Sequence, residues 1–167
     1  MEIRTELVHR AQQGDAEAFS KLYVEIYKDL YRFALYILKN THDAEDAVSD
    51  TVMDAYRTIR ILRNPDSFKA WIFQILSNKC RQRLNSYRIK MMEIPEDLVS
   101  DCRDMSEHMD VRRAFARLSD EERLILSLNI FAGYTSREIA ESLVLNESTV
   151  RSKQSRALKK MKKALSV

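Results

Sequence analysis

The chain has 167 residues and a net charge of only +3, so its average charge identifies no partner, and the distribution of that charge has to be read instead. Two glycines, two prolines and abundant Leu, Ala, Glu, Lys and Arg exclude a β-rich or collagen-like chain and point to an all-α protein. No apolar run approaches the roughly 20 residues of a membrane span, so no membrane insertion is expected; Cys80 and Cys102, without a CxxC pair or a signal peptide, fit a cytoplasmic, reduced protein.

Ile3, Leu7, Val8 and Ala11 mark a short first helix that Gly14 ends. Asp15 caps a long second helix whose inward face is Phe19, Leu22, Tyr23, Ile26, Leu30, Phe33, Ala34, Ile37 and Leu38, broken by Asn40 and Thr41. A third helix starts near Asp43, with Ala44, Ala47, Val48, Val52, Ala55, Tyr56 and Ile59 inward and Asp43, Asp46, Asp50 and Asp54 outward. Arg60 to Ser67 is a loop, because Pro65 lacks an N–H and restricts Asn64 before it.

The fourth helix sets Phe68, Trp71, Ile72, Ile75, Leu76 and Leu84 on one side. Its other faces present Lys69, Gln74, Asn78, Lys79, Arg81, Gln82 and Arg83. Phe68, Trp71, Phe73 and Tyr87 interleave with these polar groups, and rings beside Arg, Lys and Asn suit unpaired bases, which need a face to stack on. On spacing alone, plain core is the favoured reading of Phe68 and Trp71.

From Ser86 to Asp104 the apolar period fails and acids gather around Pro95, so residues 89–104 read as a flexible acidic linker. It divides the chain into a first unit, 1–88, and a second, 105–167. The second unit opens with Met105, Met109, Val111, Phe115 and Leu118. A capping box, Ser119 to Glu122, then starts a helix with Leu124, Ile125, Leu128 and Phe131, which Gly133 stops. Cys102 and His108 are two ligand types with no second pair, so no metal or cofactor is expected.

Tyr134 to Lys153 reads as a helix, a tight turn and a second helix. Thr135 and Glu138 form a capping box over Ile139, Ala140 and Leu143. Asn146 caps the last helix, whose stripe is Val150, Ala157, Leu158 and Met161. Its other side carries Ser148, Thr149, Arg151, Ser152, Lys153 and Arg156, donors suited to base edges and phosphates, ahead of a lysine-rich tail. Such a helix can lie in a DNA major groove while its partner props it across the backbone. A small packing unit with a solvated basic face is the plainer alternative.

The charges alternate in blocks. His42 to Tyr56 is acidic without a Lys or Arg, Arg57 to Lys90 is basic apart from Asp66, the linker is acidic, and the last helix is basic. Two basic surfaces joined by an acidic strap suggest two contacts on one polyanion. No cluster of carboxylates with His or Cys is placed for metal chemistry, so the chain reads as non-enzymatic.

Three segments carry a resemblance over nearly the whole length: Leu30-Tyr-Arg-Phe-Ala-Leu-Tyr-Ile-Leu with Asp43-Ala-Glu-Asp-Ala-Val-Ser-Asp-Thr-Val, then Phe68-Lys-Ala-Trp-Ile-Phe-Gln-Ile-Leu-Ser-Asn, then Leu118-Ser-Asp-Glu-Glu-Arg through the helix-turn-helix. In this order and spacing the chain resembles the extracytoplasmic-function group of bacterial RNA polymerase sigma factors, with regions 2 and 4. The resemblance implies a promoter-specificity subunit of core RNA polymerase. Asp43, Asp46, Ser49, Asp50 and Asp54 would dock on the clamp helices of the largest polymerase subunit, and the flap would be a further polymerase contact. A solvated face is the alternative for that acidic run, but a basic partner explains it better. Asn64, Lys69, Trp71, Asn78, Lys79 and Arg81 would engage the minus-10 element and hold an unpaired base. Arg137, Ser148, Thr149, Arg151, Ser152, Lys153 and Arg156 would read the minus-35 element. The resemblance also implies an anti-sigma partner that covers these faces.

The chain departs from the family pattern at Ser49, at Lys153-Gln154 and at Val144. Val144 stands where Gly is common, so the turn is expected to form without a positive φ. A helix-turn-helix regulator that binds duplex DNA without polymerase is the rival reading.

Overall fold

The computed structural model describes residues 5–93 and 109–166, and every regular element among them is helical. The eight α-helices among these residues are α1 (Thr5–Gln12), α2 (Ala16–Leu38), α3 (Thr41–Thr58), α4 (Phe68–Glu93), α5 (Met109–Ala116), α6 (Asp120–Ile130), α7 (Ser136–Leu143) and α8 (Glu147–Leu165). Ile3, Cys102, Met105, His108 and linker residues 94–104 lie outside the described residues.

Local chemistry sets most helix starts. The Asp15 carboxylate accepts the Ala18 amide at 3.0 Å and also holds Arg10 at 2.6 Å, joining α1 to the start of α2. Lys39 ends α2 in the left-handed region, and Asn40 accepts the Asp43 amide at 3.0 Å, so α3 begins at Thr41, two residues before its expected start. The capping boxes over Ser119 and Glu122 and over Thr135 and Glu138 both form. Asn146 holds the N-cap position of α8, but its side chain makes no capping bond.

Between α3 and α4 the expected loop contains two 3-10 turns, Ile59–Ile61 and Pro65–Ser67. Gln12 of α1 fixes it by donating to the Ile59 and Leu62 carbonyls at 3.2 and 2.7 Å. Thr5 donates to Asp66 at 2.7 Å, and the Asn64 side chain accepts the Asp66 amide at 3.1 Å. The short first helix therefore braces the loop that carries Asn64.

The helical period places α4 differently from its sequence reading. It runs on to Glu93, so residues 89–93, expected as linker, are helical. Phe73 and Cys80 are fully buried, with the Phe73 ring edge-on to Phe33 at 5.4 Å, while Trp71, Ile75 and Leu84 are only half-buried. α4 is covered by α2 and α3 on one side and by the second unit on another, so no single apolar stripe describes it. Burying a side chain the size of Phe or Leu contributes about 1.5–3 kcal/mol. Two other inward assignments fail. Tyr56 is 48% exposed, although its ring edge meets Phe19, and Leu158 is 54% exposed, one position off the buried row Val150, Ala157 and Met161.

The two units share one apolar core, in which Phe33, Phe73 and Leu76 of the first are continuous with Leu124, Ile125 and Tyr134 of the second. A smaller cluster stacks Tyr36 of α2 on Phe115 of α5 at 4.7 Å, with Phe131 at 5.6 Å.

The turn between α7 and α8 departs from expectation. Val144 adopts φ 56° and ψ 48°, the left-handed conformation that glycine supplies without strain. Its N–H bonds to the Ala140 carbonyl, which also accepts the Leu145 amide at 2.9 Å. These bonds hold the β-branched residue in a conformation it disfavours.

Candidate nucleic-acid interface

The acidic side of α3 is partly answered within the chain. Lys79 Nζ lies 2.5 Å from Asp54, and Arg83 lies 3.3 Å from Asp50 and 3.7 Å from Asp43. The Tyr87 hydroxyl donates to Asp43. Burial, then the Asp43 bond, raises the Tyr87 phenol well above its ordinary value, so it stays a donor. The Lys79 bond is the main force holding Asp54 below the usual carboxylate range. Asp46 and Ser49 remain exposed, and Asp46 has no ion pair among the described residues. Met53 and the misassigned Tyr56 continue this exposed stripe, because α3 turns them outward at helical spacing after Ser49.

The residues expected at the minus-10 element divide into two groups. Asn64 and Asn78 are exposed, and Asn78 accepts a bond from Gln74 at 3.3 Å. Arg60, Ile61 and Arg63 are exposed beside Asn64, and only the charge of the two arginines was visible in sequence. Lys69 and Trp71 are half-buried, with the indole 6.0 Å from the Phe68 ring. Lys79 turns to Asp54, and Arg81 lines a cleft between α4 and the second unit. Phe68 is sealed in the core, as its spacing favours; Phe73, grouped with the rings that could stack on bases, is sealed there too, and Tyr87 is half-buried.

On the helix-turn-helix, Ser148, Arg151, Ser152 and Arg156 form an exposed row along α8. Their spacing of three, four and eight residues keeps them on one side. Arg151 pairs with Glu147, and Arg137 pairs with Glu141 at 3.1 Å. Thr149 is half-buried. Lys153 points back to Glu121 of α6 and is likewise half-buried. Ser136 donates to Gln154 at 2.7 Å, fastening the start of α7 to α8. The exposed row offers two guanidinium forks and two hydroxyls, the donors used for base edges and phosphates in a major groove.

Among the described residues, no group of three or more His, Cys, Asp or Glu is arranged to hold a metal, and no helix is long and apolar enough to cross a membrane.

Known proteins match both units. Residues 22–88 match Sigma-70 region 2, and residues 114–163 match Sigma-70, region 4. The chain is 31% identical over 138 residues to the RNA polymerase sigma factor SigV of Bacillus subtilis, covering 81% of this chain and 83% of that protein. It is 28% identical over 163 residues to the ECF RNA polymerase sigma factor SigM of Mycobacterium tuberculosis, covering 96% and 83%. The fold resembles the sigma factor RpoE in its complex with the anti-sigma factor NepR from Bartonella quintana, with a TM-score of 0.72, 23% identity and coverage of 91% and 99%. It also resembles CnrH in complex with the cytosolic domain of CnrY, with a TM-score of 0.67, 24% identity and coverage of 97% and 96%. With both regions matched in order and a helix-turn-helix presenting a row of donors, the chain belongs to the extracytoplasmic-function group of bacterial RNA polymerase sigma factors, which direct core polymerase to specific promoters and assist their melting.

Proposed function

We propose a residue-level division of labour for this sigma factor. α3 docks on the clamp helices of the largest polymerase subunit through Asp46, Ser49 and Asp50, while Asp43 and Asp54 chiefly tie α3 to α4. The braced turn with Asn64 and the outer face of α4 with Asn78 meet the minus-10 element. Lys69, Trp71, Lys79 and Arg81 complete that contact once their present partners are exchanged for DNA. Melting costs a few kcal/mol per extruded base, which stacking and backbone contacts must offset. α8 reads the minus-35 element through Ser148, Arg151, Ser152 and Arg156, with Arg137, Thr149 and Lys153 at its margin.

The single observation that carries this reading is the exposed row on α8, in the second helix of a helix-turn-helix, in a chain that matches both regions. The protein acts in the cytoplasm, where polymerase and chromosome meet, and is a binding factor rather than an enzyme. An anti-sigma protein is its proposed regulator, supported by the fold likeness to the sigma factor RpoE solved with the anti-sigma factor NepR. Reconstitution with core polymerase should give run-off transcripts from a defined promoter set. Tight operator binding by the chain alone, with no change in transcript choice when polymerase is added, would instead establish a stand-alone regulator.

A further inference from the structure

α1 lies ahead of residues 22–88, the segment matched to region 2, yet its side chains hold the turn that carries Asn64. Gln12 Nε2 donates to two backbone carbonyls at once, Leu62 at 2.7 Å and Ile59 at 3.2 Å. Carbonyls at the end of a helix lack the amide of a following turn, and Gln12 supplies a donor there from another helix. The Ile59 carbonyl also receives the Leu62 amide at 3.2 Å, so Gln12 sits at the pivot of the first 3-10 turn. At the other end of α1, the Thr5 hydroxyl donates to Asp66 at 2.7 Å in the second 3-10 turn. The turn is gripped at both ends.

α1 is itself fixed. Leu7, Val8 and Ala11 are buried, and Arg10 pairs with the Asp15 carboxylate that caps α2. Gly14 turns the chain between these two helices at φ 95°, and a Cβ there would meet an Arg60 guanidinium nitrogen at 3.4 Å. Held from behind in this way, the turn presents Arg60, Ile61, Arg63 and Asn64 to solvent. Short 3-10 turns have poor hydrogen-bond geometry of their own, so their shape depends on outside bonds. A turn that is ordered in advance loses less entropy when it takes hold of an extruded base.

We infer that α1 is a positioning element for promoter melting: Gln12 and Thr5 hold the Arg60-to-Asn64 turn in the shape that captures minus-10 bases. This rests on the assignment of the Asn64 turn to the minus-10 element. Gln12 touches no base itself and acts through the Ile59 and Leu62 carbonyls. Losing its donor leaves docking through α3 and duplex reading through α8 intact, and lowers the yield of melted complexes.

Gln12→Met keeps the side chain's length, removes its donor and changes no charge. In the free chain it should speed hydrogen exchange of the amides in residues 59–67 and leave those of α2 and α4 unchanged; equal exchange in the turn overturns the inference. In holoenzyme reconstituted with core polymerase, permanganate reactivity of minus-10 thymines should fall about fivefold, the scale of one lost hydrogen bond. Association with core polymerase and retention on duplex carrying the minus-35 element should both stay unchanged. Loss of all three together makes α1 a folding element only and overturns the positioning role. Faster exchange with full promoter opening overturns it as well, and Asn64→Ala then shows where the failure lies. If Asn64→Ala also opens promoters fully, the turn does not meet the minus-10 element; if it impairs opening, only the role of α1 is lost. Should Gln12→Met lose helicity, Thr5→Val removes the bond to Asp66 with little change of shape and carries the same measurements.

Discussion

Lys79 Nζ sits 2.5 Å from Asp54 Oδ2, so a cation expected at promoter DNA and an acid expected at polymerase neutralise one another. With Arg83 bridging Asp43 and Asp50, this pair clamps α3 to α4 and couples the two candidate surfaces mechanically.

These bonds give the fold a defined acid dependence. The Lys79 bond is the largest influence lowering Asp54 from its ordinary 3.8, and the Ala18 amide followed by Arg10 lowers Asp15 from the same value. Burial pushes Glu122 upward, but bonds from Lys160 and the Ser119 amide outweigh it and hold the carboxyl below 4.5. A carboxyl with a lower pKa folded than unfolded contributes fully above its unfolded value and loses that contribution as pH falls through the folded one. The urea midpoint should therefore stay level from pH 7 to about 5 and decline below about 4. Lys79→Met should shallow that decline, and an unchanged acid profile in this variant would remove Asp54 from the account.

Asp46 should separate polymerase binding from folding. It is exposed and has no ion pair among the described residues, whereas Asp54 is tied to α4. Asp46→Lys should weaken association with core polymerase at least tenfold in a fluorescence titration. Its unfolding free energy should stay within about 0.5 kcal/mol of the original, as is usual for exposed positions without special contacts. Asp54→Lys should reduce association and stability together. Normal association after Asp46→Lys places the polymerase surface off α3.

What the sequence made legible was local. The N-cap carboxylate at Asp15, the two capping boxes and the break at Asn40 act within three or four residues, and their positions follow from residue type. Contacts between distant segments were not legible. Phe73 looks like one more ring on a basic helix until α4 is covered on two sides, and the Tyr134 bond to Ala70 spans 64 residues. The exposed row on α8 could be read from period alone, but the turn of Lys153 toward Glu121, 32 residues away, could not. Val144 was recognisable as anomalous, yet its residue type argued against the conformation that two backbone bonds impose.

The α8 row yields a contrast between neighbours. Arg151 is exposed beside Ser148 and Ser152, and its partner Glu147 lies one turn away on the same helix. A bidentate contact to a base contributes about 1–3 kcal/mol of discrimination, so Arg151→Ala should lower transcription from minus-35-dependent promoters by about fivefold to 150-fold. Lys153→Ala should chiefly loosen α8 from α6, because its ammonium is held by Glu121. It should lower the thermal midpoint more than it alters promoter preference. Run-off transcription on promoters with intact and scrambled minus-35 elements checks both variants. Unchanged preference after Arg151→Ala would place the reading face elsewhere on the helix.

Val144 offers a stabilising change. At φ 56° the β-branched side chain crowds its own backbone, a cost of about 1–2 kcal/mol relative to glycine. The residue is 90% exposed, so deleting the side chain sacrifices almost no packing. Glycine adds freedom to the unfolded chain, which offsets about 0.4–1 kcal/mol of the relief. Val144→Gly should therefore stabilise the protein by about 0.5–1 kcal/mol and raise its thermal midpoint by about 1–4 °C, given a chain of this size. Val144→Pro should do the reverse, because proline fixes φ near −65° and removes the N–H that bonds to Ala140. A lower midpoint for Val144→Gly would show that the valine stabilises the turn through contacts that outweigh its strain.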